Sequence, residues 1–206
     1  IGILNVPRNK NMRKYLVIGN PIEHSLSPKL HNYWLDKNKI DGNYDKKLLT
    51  ERKIGEFLKS NQNISGINVT VPFKKTVLNY CTELTELASS SQSVNTIVLS
   101  NDKIIGDNTD IYGFEQSLKD LNFDGLNKTA FILGAGGVVS SVIIALNNLG
   151  VKKIVISNRT KYKAEALAKE YNLVVLDWGK VVDFDIVINC TSIGLKSNDN
   201  LGLDFS

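Results

Sequence analysis

Three short polar segments hold the residues best suited to chemistry: residues 19–28 (GNPIEHSLSP), 68–74 (NVTVPFK) and 106–110 (GDNTD). Each follows an apolar, strand-like run, and strand ends in an open α/β sheet send their loops to one edge. Hydroxyls, amides, a lysine and an aspartate from separate segments can then converge on one small polyhydroxylated acid. Ser25 and Ser27 stand two apart in a loop restrained by Pro21 and Pro28, so both hydroxyls can donate to one carboxylate. Ser27, just before Pro28, also fits a helix N-cap, a role that engages its oxygen and leaves its proton to donate. Asn68 and Asn95 offer donor and acceptor together, the pairing that reads vicinal hydroxyls, and Thr70 adds a hydroxyl. Outside a site, such residues are ordinary turn or surface positions.

Lys74 is the candidate proton carrier and Asp110 its candidate partner. A carboxylate within hydrogen-bonding reach keeps an ammonium charged against desolvation and orients it on the reacting oxygen. Lys75 reads as its solvated neighbour, and Asp110 fits equally well as the N-cap of a helix starting at Ile111. His24 and His31 flank a helix start without a third ligand candidate, so they read as structural and no metal is expected.

A second constellation begins at Gly134-Ala135-Gly136-Gly137, directly after the strand-like AFIL and at the opening of a helix. Backbone N–H groups and the positive helix end can there face a pyrophosphate that side chains would keep away. A ligand-free tight turn is the plainer alternative. At the end of the next strand an NAD enzyme places an acid for the ribose 2′-hydroxyl. This chain has Asn158-Arg159-Thr160 instead. Arg159 can clamp a 2′-phosphate with its fork of donors, Asn158 and Thr160 can add neutral hydrogen bonds, and NADP is favoured over NAD. A lone arginine is otherwise a solvated surface residue.

In this order, the three polar segments, the GAGG turn and the NRT triplet resemble the shikimate dehydrogenase family from about residue 14 to residue 194. The resemblance implies a two-lobed α/β protein: an N-terminal α/β substrate domain, residues 12–110, followed by a Rossmann-like NADP-binding domain with a mostly parallel sheet, residues 111–206. It implies NADPH-dependent reversible reduction of 3-dehydroshikimate to shikimate, a step of chorismate and aromatic amino acid biosynthesis. Ser25, Ser27, Asn68, Thr70 and Asn95 would bind the substrate, Lys74 and Asp110 would move the proton, and Thr191 and Gly194 would line the nicotinamide pocket. Three positions depart from the family pattern. Val139 stands where glycine or alanine is usual and Val138 replaces an alanine, predicting looser or shifted helix packing, and Ile111 replaces a glycine. The rival readings are an NAD-using quinate or shikimate dehydrogenase and a non-catalytic sensor of NADP or a metabolite.

The elements that must position these groups follow from apolar periodicity. KYLVI, KKLL and ISGINVTV read as strands, followed by helices over residues 27–40, 50–59 and 72–80, with Thr50 as a second N-cap. Residues 94–99 and 103–105 form a hairpin around 100–102. Ile111, Phe114, Leu118 and Leu121 recur at helical spacing, predicting a helix that bridges the lobes beside a cleft. AFIL, KIVIS, LVVL and DIVIN then alternate with helices over residues 138–149 and 161–171, a nucleotide-binding βαβ pattern.

Composition narrows the partners. The formal charge of +4 is modest and its basic residues are scattered, which disfavours nucleic acid and suits a small anionic ligand. Cys81 and Cys190 have no metal-ligand spacing, so buried thiols in a reducing cytoplasm are expected. No apolar run approaches the ~18 residues needed to span a bilayer. Residues 1–11, before Met12, read as a leader or non-native extension, the second sheet reads as incomplete at its C-terminal end, and the chain is expected to act as a monomer or homodimer.

Overall fold

A computed structural model describes residues 12–61, 63–100, 102–194 and 198–205; the expected leader, residues 1–11, lies outside them. The chain forms a mixed α/β protein that divides into two compact units. The first runs to Glu83 and includes Thr96–Gly106; the second comprises Leu84–Asn95 and Asp107–Ser206.

In the first unit, β1 (Arg13–Gly19), α1 (Ser27–Lys37), β2 (Gly42–Leu48), α2 (Ile54–Ser60), β3 (Gly66–Val69) and β4 (Glu83–Leu84) precede the hairpin β5 (Thr96–Ser100) and β6 (Lys103–Asp107). The sheet order is β2-β1-β3-β5-β6-β4, with β1 parallel to both β2 and β3 and with β5 antiparallel to β3. β2 is an edge strand, which would leave backbone groups unpaired. The Asn32 side chain from α1 closes part of that edge: its amide donates to the Tyr44 carbonyl at 2.8 Å and its oxygen accepts the Tyr44 N–H at 2.9 Å. Ile18, Ile54, Leu58, Ile67, Phe73, Val77 and Ile97 are fully buried.

Three local expectations are corrected here. Residues 72–80 form a turn and a 3-10 helix (Thr76–Tyr80), because Pro72 has no N–H to give and the Phe73 N–H closes back on Thr70 at 2.9 Å. Residues 50–59 split into a 3-10 turn (Glu51–Lys53) and α2, and Thr50, at the cap position, makes no side-chain cap bond. Ser27 is already inside α1: Leu26 holds the cap position, and Pro28 occupies the first turn.

The second unit contains α3 (Glu86–Ser91), α4 (Asp110–Asp120), β7 (Thr129–Leu133), α5 (Val139–Asn148), β8 (Lys153–Ser157), α6 (Lys161–Tyr171), β9 (Val174–Leu176) and β10 (Ile186–Asn189). Its sheet is wholly parallel in the order β10-β7-β8-β9. β7 and β8 are buried almost throughout, as strands covered on both faces must be. The chain leaves β7 for β8 and β9 on one side and returns to β10 on the other, so the order reverses at β7, where open sheets of this kind bind ligands. α4 lies in this unit with Ile111 and Leu118 buried, whereas Leu121 is 76% exposed because the helix ends one residue earlier. Val139 is fully buried in the core with Ile132 and Ile143. Among the described residues no helix is long and apolar enough to cross a membrane.

Gly134 ends β7 with φ +107°, and a Cβ there would stand 2.8 Å from the carbonyl carbon and oxygen of Cys190 after β10. Both the left-handed backbone and the contact exclude a side chain. Gly134→Ala is therefore expected to lower stability by about 2 kcal/mol or more, measured by urea unfolding; an unchanged midpoint would show that the two strand ends can part freely.

Candidate active site

The second unit carries a pocket of about 240 Å³ at the carboxyl ends of its strands. Gly134, Ala135 and Gly136 reach it from β7, Asn158, Arg159 and Thr160 from β8, and Thr191 from β10. Of the expected cofactor residues, Gly137 and Gly194 do not line it. Gly137 is bound from behind, its carbonyl accepting the Ser93 hydroxyl at 2.9 Å. Gly194 N–H donates to Asp199 at 2.9 Å, in the loop beyond. Thr191 is engaged locally, its N–H and hydroxyl both donating to the Asn189 side-chain oxygen at 3.0 and 2.7 Å. Asn158 donates to the Thr160 carbonyl at 2.8 Å and so fixes the turn that carries Arg159. Cys190 also lines the pocket, and burial pushes its thiol up to about 11, which leaves it protonated and unreactive near neutrality.

The pocket fits a dinucleotide phosphate. Gly136 is exposed and a Cβ on it would meet only the Cys190 oxygen, at 3.9 Å, so the turn leaves open space over the start of α5. No side chain caps that helix start, which leaves its first N–H groups for an anion. Arg159 and Lys163 add two cations that form no ion pair among the described residues. Lys163, Trp178 and Ser192 were not anticipated from sequence. A lysine in the first turn of α6, where no acid stands, opposes the helix dipole, and that was the readable signal for an anion.

Asp110 lies in the first turn of α4, and a different residue caps that helix. Asn108, wholly buried, accepts the N–H groups of Asp110 at 2.9 Å and Ile111 at 3.3 Å. Its amide donates to the Ser91 hydroxyl, the Ser93 carbonyl and the Ser141 hydroxyl of α5 at 3.0, 2.8 and 2.9 Å. The Asp110 carboxylate accepts an amide N–H from Asn95 at 2.8 Å. Asn95 also pairs with Thr109, donating to its hydroxyl at 2.9 Å and accepting its N–H at 3.0 Å. Its amide thus helps hold Asp110 in place, a contact that the residue types alone do not announce.

In the first unit, the loops after β1 and β3 lie side by side: Thr70 N–H donates to Ile18 at 2.9 Å, and Asn20 N–H to Val71 at 3.0 Å. Ser25 Oγ accepts the Ser27 N–H at 3.3 Å, which fixes the two serines as a pair. Tyr44, not anticipated from sequence, donates to Asn68 Oδ1 at 2.7 Å and hydrogen-bonds the Ser27 side chain, and Asn68 donates to Thr96 at 3.2 Å. Burial pushes the Tyr44 phenol well above its ordinary value, so it stays a neutral donor. His31 stacks on Tyr44 with ring centroids 4.1 Å apart and reaches the Ser27 carbonyl at 2.9 Å, a packing role as expected from its surroundings. Lys74 is half-buried and Lys75 exposed. A larger pocket of about 320 Å³ opens under α1, but Trp34, Leu35 and Ile40 make it apolar, and of the expected substrate residues only Asn68 borders it.

Comparison with known proteins agrees in both units. The shikimate dehydrogenase substrate binding domain matches residues 17–97, and the shikimate / quinate 5-dehydrogenase domain matches residues 117–195. The shikimate dehydrogenase (NADP(+)) of Pelagibacter ubique is 51% identical over 94% of this chain and 74% of its own length. The chain belongs to the shikimate dehydrogenase family. Among solved members, the Aquifex aeolicus enzyme superposes with a TM-score of 0.87 at 35% identity, covering 94% of this chain and 74% of that one. The Thermus thermophilus enzyme, solved with NADP(H) and shikimate, gives 0.82 at 31% identity, covering 89% and 70%.

Asn108 is the buried hub of the second unit's polar network, and its replacement strands donors and acceptors on α3, α4 and α5. Asn108→Ala is expected to lower unfolding free energy by about 3 kcal/mol, and Asn108→Asp by at least as much because it sets a carboxylate oxygen against the Ser93 carbonyl. Urea denaturation monitored by far-UV circular dichroism decides it; wild-type midpoints in both variants would refute the hub.

Proposed function

We propose that this chain catalyses the NADPH-dependent reversible reduction of 3-dehydroshikimate to shikimate, within chorismate and aromatic amino acid biosynthesis. The observation that carries the reading is the convergence, at the strand ends of one parallel sheet, of the glycine turn with an arginine and a lysine where an acid would select NAD. NADPH, when bound, supplies the hydride. Gly134–Gly136 would receive its pyrophosphate, and Arg159 with Lys163 its 2′-phosphate. Thr191 and Gly194 are assigned to the nicotinamide end.

Ser25 and Ser27 are assigned to the substrate carboxylate, and Asn68, Thr70 and Asn95 to its hydroxyls. The Tyr44–Asn68–Thr96 chain supports this by fixing which way the Asn68 amide points. Lys74 is assigned as the group that gives a proton to the oxygen of the reduced carbonyl and takes it back in the reverse direction. Asp110 is assigned as the carboxylate that keeps that ammonium charged, a role supported by the Asn95 hydrogen bond that orients it. The reading places the protein in the cytoplasm, as a monomer or homodimer, with a small-molecule substrate and no nucleic-acid partner.

NADPH oxidation with 3-dehydroshikimate tests the assignment. Lys74→Ala and Asp110→Ala are each expected to lower kcat about 100-fold or more with little change in KM, and the double variant to fall no further than the worse single one. An active Lys74→Ala chain would remove lysine from the reaction. Arg159→Ala is expected to cut the preference for NADPH over NADH at least about tenfold, read as a ratio of kcat/KM values; an unchanged ratio would place 2′-phosphate recognition elsewhere.

A further inference from the structure

The nucleotide pocket has one wall that neither the glycine turn nor the cationic turn explains. Trp178 lines it beside Arg159, Thr160 and Lys163. The parallel register pairs Ser157 with Leu176, so Arg159 and Trp178 each stand two residues past the last paired rung of β8 and β9. The loop carrying the tryptophan is tied back to the start of α6: Lys161 Nζ lies 2.7 Å from Asp177 Oδ1, and the Lys180 N–H closes the turn on the Asp177 carbonyl at 3.2 Å. The ring also packs against the buried cluster of Phe131, Leu133 and Val155. Anchoring on the core removes most of its rotational freedom before any ligand arrives.

A half-buried indole, fixed from below and open to a pocket that holds two cations, suits a flat π-system attached to phosphate. Of the parts of a dinucleotide phosphate, the one joined to the 2′-phosphorylated ribose is adenine. We infer that Trp178 is the wall against which the adenine base is held, an inference that rests on the NADP reading above. The tryptophan sets the depth and orientation of the adenosine end, while Arg159 and Lys163 select its phosphate. Core packing alone would account for the ring's contact with the buried cluster but not for its position among the cations.

The test uses 2′,5′-ADP, which carries the adenine and the 2′-phosphate without nicotinamide. Trp34→Phe leaves Trp178 as the sole tryptophan, since the chain has two. In that variant saturating 2′,5′-ADP is expected to quench or shift the emission, and nicotinamide mononucleotide is not. By calorimetry, Trp178→Leu, which keeps an apolar side chain on the core, is expected to weaken 2′,5′-ADP about tenfold or more, while Trp178→Phe stays within about threefold of wild type. Wild-type affinity in Trp178→Leu, or unmoved emission at saturation, overturns the inference while leaving the NADP reading intact. Failure of the wild-type chain to bind 2′,5′-ADP overturns both. Should Trp178→Leu fail to fold, the emission response and the Trp178→Phe affinity still decide.

Discussion

Parallel strand pairing is the constraint on which the chemistry of each unit depends. In the second unit Leu133 is in register with both Ser157 and Asn189, and Ser157 with Leu176, so all four strands end at one level. The glycine turn, the Arg159 turn, the Trp178 loop and the Thr191 turn must then emerge together. In the first unit Ile18 pairs with Val69, and the loops bearing Ser25, Thr70 and Lys74 begin within two residues of that rung. The approach is close enough that a Cβ on Gly19 would stand 2.6 Å from the Thr70 methyl. Loop composition supplies the functional groups, but register decides that they meet. A one-residue slip of β3 would turn Asn68 to the opposite face of the sheet and break its bonds with Tyr44 and Thr96.

The second unit adds a buried polar frame to that register. Residues 91–95 touch both chemical regions of the unit: the Ser93 hydroxyl holds the glycine-turn carbonyl of Gly137, and the Asn95 amide holds Asp110. Asn108 locks this segment to α5 through Ser141. A carboxamide suits the position because it offers donors on one side and an acceptor on the other, and here the donors face oxygens while the acceptor faces the N–H groups of α4. Serine lacks the reach for both, and aspartate lacks the donors. In a low-dielectric interior a satisfied network of this kind resists distortion strongly, since each lost partner leaves a polar atom with no water to replace it. Asp110 is therefore held at both its backbone and its carboxylate.

The strands and the two helices of the nucleotide-binding sheet were legible because their signal is local. KIVIS and AFIL are unbroken apolar runs, and α6 occupies the residues its periodicity marks. The polar residues at the strand ends were legible for the same reason, each segment being short and following a clear strand. Partnerships at long separation were not. Tyr44 meets Asn68 across 24 positions and Asn108 meets Ser141 across 33, and nothing in the spacing of either pair announces the contact. Whether Asp110 caps α4 stayed open in the sequence for a subtler reason. Asn108, Thr109 and Asp110 are all competent caps by type, and only the burial of Asn108 decides between them. Trp178 stood in a polar loop, where a large aromatic has no periodic pattern to betray its partner.

The charge distribution around α6 carries the argument about cofactor choice one step further. Its first turn holds Lys161 and Lys163 with no acid, and Arg159 precedes it, so three cations gather where the helix dipole is already positive. Each such charge is unfavourable at a helix N-terminus, most of all at low salt. Lys161 is offset by Asp177, whose carboxyl it holds below the ordinary value, but Arg159 and Lys163 have no such partner among the described residues. If Arg159 and Lys163 receive the 2′-phosphate as proposed, a 2′-hydroxyl would leave that repulsion in place and a 2′-phosphate would offset it, so the charge arrangement would favour one cofactor over the other. Because both cations are exposed, salt screens the effect. Discrimination between the two nucleotides should accordingly be greatest at low ionic strength and narrow as salt is added.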